Sequence, residues 1–149
     1  MSPRSDLRHL LDVNVWVALL DEAHVHHIQA LTFAQRPKIK IATCPIIENG
    51  VVRILNLPGY SRLGPAGFEA VKDKLQQICT DLDHEFWPDE VSLRTEAGIN
   101  WSRVLGHNQI TDIYLLALAV ARQGCLVTLD HRVTLGTVNS GTPRNLMLL

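Results

Sequence analysis

The sequence predicts an α/β fold, an α/β/α sandwich around a mostly parallel central sheet. Three observations lead there. Short apolar runs of strand length alternate with longer amphipathic segments along the chain. Two of the runs, "RHLLDV" at 8–13 and "CLVTLD" at 125–130, read as buried strands. No repeat, low-complexity stretch or linker interrupts the pattern, so residues 1–149 are expected to form one domain.

After the first strand, the apolar residues from Asn14 to about Glu22 suit a helix. "HVHHIQALTFAQ" at 24–35 suits a second one, stopped by Pro37. "KIKIAT" at 38–43 alternates with period two and reads as a strand. "CPIIENGVVRILNLPG" at 44–59 reads as a helix, with Pro45 in its first turn and Pro58-Gly59 as its end. Gly50 inside it costs about 1 kcal/mol relative to alanine. A loop over 60–65 follows. In 65–82, Phe68, Val71, Leu75 and Ile78 share one helical face. "HEFWP" at 84–88 is a short strand ended by Pro88, and a helix is expected over about 92–105. "TDIYLLALAVARQG" at 111–124 carries helix signals at both ends: Thr111 as N-cap, Asp112 at the positive dipole end, Arg122 in the last turn and Gly124 as the stop. "RNLMLL" closes the chain as a final short strand.

The bulk composition excludes several classes. The chain is 46% hydrophobic and 19% charged, which argues against disorder. It has no apolar run of the ~18 residues a membrane span needs. "MSPRSDLR" has no apolar core of a secretory signal. Cys44, Cys79 and Cys125 are scattered and odd in number, which suits free thiols in a reducing cytoplasm. The net charge of −1 shows no basic tail for nucleic acid. Neutralising a few acids with a metal would turn that balance positive and admit a polyanion.

The informative residues are acids in apolar surroundings. Asp12 sits inside "LLDVNVWVALLD", where an ionised group costs several kcal/mol unless it is paired or bound to metal. Asp130 ends the second buried strand. In open α/β sheets the ligand crevice lies beyond the carboxyl ends of the strands. Asp112 starts the helix before that strand, and Glu48 lies early in the helix after "KIKIAT", so both belong to the same edge. Three of the acids have structural explanations when taken alone: a helix N-terminal charge for Asp112, a turn residue for Asp130, and an ion pair with Arg53 or a distant base for Glu48. Asp12 is the hardest to explain as structure, because its neighbours on both sides are apolar. Together the four acids repel one another unless a cation sits among them, and carboxylate oxygens suit Mg²⁺ or Mn²⁺.

"LLDVNVWVAL", "CPIIENGVVRIL", "TDIYLLALA" and "LVTLDHRV" resemble, in order and spacing, the four signature segments of PIN-domain ribonucleases, most closely the VapC toxins of bacterial toxin–antitoxin pairs. The resemblance spans nearly the whole chain. It implies a PIN-like fold and Mg²⁺-dependent hydrolysis of RNA, with Mn²⁺ able to substitute. It also implies a cognate antitoxin and a homodimer. Asp12, Glu48, Asp112 and Asp130 match the acidic quartet, with Asp12 and Asp112 as direct ligands and the other two completing the shell or orienting the nucleophile. Asn14 and Thr111 match the polar residues that support them. Val13 stands where many members carry Thr or Ser, and "HRVTL" after Asp130 offers no acid for a second metal.

Other residues carry less. His24 and His27 lie at i, i+3 but lack a third metal ligand in sequence. His131 and Arg132 are as consistent with a solvated turn as with a substrate phosphate, and Arg53, Arg103 and Lys72 could contact phosphate, although each alone is more often a solvated surface charge. Trp16, Trp87 and Trp101 offer stacking surfaces, Trp16 being placed for the core. Among competing readings, a receiver-like phosphorelay domain wants paired acids after its first strand and a late Lys. A haloacid-dehalogenase phosphatase wants Asp-x-Asp, where this chain has Asn14. A catalytically inactive PIN fold acting as a binding module is disfavoured by the complete quartet.

Overall fold

Four crossovers between strands build the sheet. A computed structural model describes residues 6–96 and 98–149. The remainder of the "MSPRSDLR" stretch lies outside the described residues. The strands are β1 (Arg8–Leu11), β2 (Lys40–Thr43), β3 (Asp83–Phe86), β4 (Cys125–Thr128) and β5 (Leu146–Leu148). They form one sheet in the order β3-β2-β1-β4-β5, and every neighbouring pair is parallel. All five carboxyl ends therefore open on one edge. The helices are α1 (Val13–Leu20), α2 (His27–Ala34), α3 (Pro45–Ile54), α4 (Phe68–Asp81) and α5 (Ile110–Ala121).

The chain steps outward from β1 to β2 to β3, then returns across the sheet to β4. Right-handed crossovers put α1–α4 on one face and α5 on the other. The contacts agree: α1 packs on α2 and α3, α3 packs on α4, and α5 packs on β4. The central strands are buried on both sides, with Leu10, Leu11, Ile41, Leu126 and Val127 fully inaccessible. Trp16 and Trp87 belong to this core rather than to a stacking surface, whereas Trp101 is half-exposed. The edge strand β3 is polar, and Arg8 ties it to β1 by reaching Asp83 at 3.0 Å and Glu85 at 3.3 Å.

Three sequence expectations change at this level. The helix over 92–105 does not form among the described residues. That stretch is a loop with one 3₁₀ turn at Trp101–Arg103, and it is pinned where Ile99 bridges Val138. It has no apolar stripe long enough to offset the cost of ordering a helix. Thr111 is not an N-cap: Gln109 is, and Thr111 lies exposed in the first turn of α5. Gly124 is not the left-handed stop, because Gln123 takes the positive φ of 56°. Gly124 is glycine for another reason: a Cβ there would lie 2.7 Å from the Trp87 ring and 2.8 Å from the Arg8 carbonyl oxygen.

Candidate active site

The strand order reverses between β1 and β4, the place where open α/β sheets form their crevice. Asp12 follows β1 directly, and its backbone N–H donates to the Val127 carbonyl at 2.9 Å, continuing the ladder past the last strand residue. Asp12 is also the N-cap of α1, accepting from Val13 N–H through Oδ1 at 2.7 Å. Its carboxylate is therefore partly explained as structure. Yet Asp12 is only 5% exposed, and burial holds its pKa above the usual carboxylate range despite hydrogen bonds that favour the charge.

One hydroxyl organises the switch point. Thr128 Oγ1 donates to Asp12 Oδ2 at 2.9 Å and accepts from Asn14 Nδ2 at 3.2 Å and from Asp130 N–H at 3.0 Å. Asn14 Oδ1 accepts in turn from Leu129 N–H at 3.2 Å. Asn14 thus fastens the start of α1 to the end of β4. Sequence reading missed Thr128; its only signal was a hydroxyl inside an apolar strand, two residues before Asp130.

Asp112, in the first turn of α5, lies between two clefts and lines both. The larger, about 770 Å³, is also lined by Asp12, Asn14, Arg53, Asp89 and Thr111. The smaller, about 170 Å³, holds Asp130 and Arg132. Burial first, then the charges of Asp12 and Asp130, push the Asp112 pKa up to about 6. The opposite holds for Asp130, whose pKa falls because Arg132 hydrogen-bonds its carboxylate. Three acids thus share one electrostatic neighbourhood.

Glu48 does not join them. Thr43 Oγ1 donates to Glu48 Oε2 at 2.7 Å and lies 2.7 Å from His84 Nε2. A hydroxyl that donates to Glu48 must accept from His84, so the imidazole carries its proton on Nε2. Glu48 is thereby held on the β2–β3 side, outside both clefts, while its neighbour Asn49 lines the larger one. Among the described residues no three His, Cys, Asp or Glu side chains are arranged to hold a metal between them, which includes the His24–His27 pair.

Residues 9–135 match the PIN domain. Ribonuclease VapC44 of Mycobacterium tuberculosis is 39% identical over 144 residues, covering 96% of this chain and all of that protein. This chain belongs to the VapC ribonucleases of the PIN-domain family. Ribonuclease VapC29 of the same organism is 39% identical over 121 residues, covering 81% of this chain and 84% of the relative. The fold also resembles VapBC2 from Rickettsia felis, solved bound to a DNA fragment from their promoter. There the TM-score is 0.59 at 18% identity, over 96% of this chain and 99% of that one.

Within this VapC-type framework the remaining candidates find ordinary places. His131 reaches the Leu149 carbonyl at 3.1 Å, and Lys72 pairs with Asp73 at 2.8 Å. Arg53 lines the large cleft and makes no ion pair among the described residues. No helix is long and apolar enough to cross a membrane.

Proposed function

We propose that this VapC-family ribonuclease acts as the toxin of a toxin–antitoxin pair and cuts RNA at the cleft shared by Asp12 and Asp112. These two carboxylates would hold a divalent cation, Mg²⁺ or Mn²⁺. The observation that carries this reading is geometric: Asp12, only 5% exposed, and Asp112 line one cleft at the switch point of the sheet. The Asp112 pKa, pushed up to about 6 by burial and then by Asp12 and Asp130, agrees with it. Two crowded, desolvated carboxylates with no cationic side chain bonded to them are the donor set a hard cation takes. Mg²⁺ in particular is commonly bound through one or two carboxylates.

Such a cation supplies positive charge at the scissile phosphate and acidifies water there. The chain's residues do the rest. Asp12 is locked by Val13 N–H and Thr128 Oγ1, so its carboxylate cannot turn away. Asn14 and Thr111 border the cleft beside the two acids and orient what enters it. The sequence expects Glu48 to complete the shell; in its Thr43-bonded position it stands apart from the two acids. The apolar walls of the cleft from α1 and α3, including Val13, Val17 and Ile46, suit a helix of the cognate antitoxin. A homodimer completes the assembly.

Incubation of the purified chain with RNA tests the core of this reading. Cleavage is expected with Mg²⁺ or Mn²⁺, and it is expected to disappear in excess EDTA and in Asp12→Asn. Undiminished cleavage in EDTA would rule out the cation. Expression of the chain in its own host without the antitoxin should arrest growth, and normal growth would count against the toxin role.

A further inference from the structure

We propose that Arg132 binds a phosphate of the RNA next to the scissile bond, and that Asp130 is its positioning residue rather than one of the groups that hold the cation. The inference rests on the nuclease reading above and assigns a substrate contact within it.

The geometry of the pair is the starting point. Asp130 Oδ1 accepts from the Arg132 backbone N–H at 2.9 Å and from its Nε at 3.0 Å, and Oδ2 accepts from Nη2 at 3.0 Å. Both carboxylate oxygens are therefore engaged by a single residue. A guanidinium has five N–H donors, and this arrangement uses two of them. The outer fork, made of Nη1 and the second Nη2 hydrogen, is left to the surroundings. The Arg132 side chain is 77% exposed, against 20% for Asp130, so that fork is open to solvent. Arg132 lines the small cleft together with Asp112, Asn108 and Gln109. A planar fork fixed on one side and open on the other is suited to bidentate contact with phosphate oxygens.

Position relative to the two cation-holding acids is fixed as well. The Asp130 N–H is bonded to Thr128 Oγ1, the same hydroxyl that donates to Asp12 Oδ2. A short chain of bonds thus runs from Asp12 through Thr128 and the Asp130 backbone to the guanidinium. The Asp130–Arg132 turn is thereby tied to the strand end beside Asp12, and Asp112 lies at the junction of the two clefts.

The alternative role for Arg132 is an internal counter-ion that quiets the acids. The partners it chooses argue against this. Its hydrogen bonds go to Asp130, while the more desolvated Asp12 and Asp112 receive none from it. Its charge does reach Asp112, but it only partly offsets burial and the charges of Asp12 and Asp130 there.

The test uses the full chain and three measurements. Anisotropy of a labelled single-stranded RNA in EDTA reports binding without cleavage, at several salt concentrations. Calorimetry with Mn²⁺ reports the cation site. Steady-state cleavage separates KM from kcat. For Arg132→Gln, the RNA Kd should rise about tenfold, as expected for one lost charge-assisted contact. The log–log salt slope should become shallower by about 0.7. KM should follow Kd while kcat stays within about threefold, and Mn²⁺ affinity should stay within about twofold. Arg132→Lys should recover part of the RNA affinity, since it keeps the charge but loses the fork. Lys74→Gln, an exposed charge on α4, should match wild type. Unchanged RNA affinity and slope in Arg132→Gln would overturn the proposal. So would a large gain in Mn²⁺ affinity with RNA binding intact, which marks a counter-ion. A large loss of Mn²⁺ affinity would overturn it too, by placing the Asp130–Arg132 pair in the cation site. If wild type neither binds Mn²⁺ nor cleaves, the nuclease reading fails. The phosphate contact still stands or falls on the anisotropy in EDTA.

Discussion

Asp112 is more stable protonated than an ordinary aspartate, because burial and then the Asp12 and Asp130 charges oppose its ionisation. Its pKa is raised from 3.8 to about 6 in the folded chain, so between these values the native state holds the extra proton. Stability then falls as pH rises through that window, and the stabilisation is complete only below the unfolded pKa. In EDTA, wild type should lose roughly 1 kcal/mol from this group between pH 4 and 6, after allowance for solvent screening. Asp112→Asn should remove that loss, which denaturant unfolding at pH 4, 5, 6 and 7 would measure. An identical pH profile in the mutant would make Asp112 an ordinary helix-end acid. Thr128→Val is a separate test of the hydroxyl hub: it leaves the Asp130 N–H unpaired and Asp12 Oδ2 without its donor. A cost of about 1–3 kcal/mol in stability is expected. Asp12, Asp112 and Asp130 were legible in the sequence because charges in apolar runs demand a partner. Thr128 was not, since a threonine in a buried strand also reads as a β-branched residue that packs well. Glu48 was legible as an acid at the correct edge, but the direction of its side chain depends on Thr43 and His84, and the latter comes from a strand 36 residues away in sequence.

Close approach of elements explains two glycines and sets a second scale of prediction. Gly124 packs against the Arg8 carbonyl oxygen and the Trp87 ring, so a Cβ there meets backbone that cannot move aside. Gly50 brings α3 against the start of α1, where a Cβ would lie 2.8 Å from Val13 Cγ2, a side-chain atom. Overpacking of this kind costs about 1–3 kcal/mol, whereas alanine gains about 1 kcal/mol over glycine inside a helix. Gly124→Ala should therefore be clearly destabilised and Gly50→Ala close to neutral in thermal melts; equal losses would contradict the difference in what each Cβ meets. Periodicity located nearly every element, because strands and helices each bury a face of fixed spacing. It failed over 92–105, where the chain is held by a long-range bridge between Ile99 and Val138 rather than by a local repeat. It also misassigned the end of α5: Gly124 answers to the packing of Trp87, a tertiary contact that no local rule contains.

At the scale of the whole molecule, a site built at the switch point of a parallel sheet couples cation binding to the stability of the entire fold. The Asp12 N–H extends the ladder to β4, and the Asp12 side chain caps α1, so the acids are fixed only when β1, β4 and α1 are assembled. The unfolded chain has no such arrangement, and a cation that binds the native state alone stabilises it by RT ln(1 + [L]/Kd), about 2.7 kcal/mol at a hundredfold excess over Kd. For a chain of this length that corresponds to a rise in Tm of about 5–10 °C. Wild type should show this rise when Mn²⁺ replaces EDTA, and Lys74→Gln should show the same. Asp12→Asn should show little of it. Asp112→Asn should melt above wild type in EDTA, where one repelling charge has been removed, and gain much less from Mn²⁺, so that the order reverses. Glu48→Gln separates the two positions its side chain could serve. If the Thr43-bonded rotamer persists in the loaded protein, this variant keeps the full Mn²⁺ shift. If binding draws Glu48 into the cleft, its shift shrinks towards that of Asp112→Asn. An equal Mn²⁺ shift in wild type, Asp12→Asn and Asp112→Asn would detach the cation from these acids altogether.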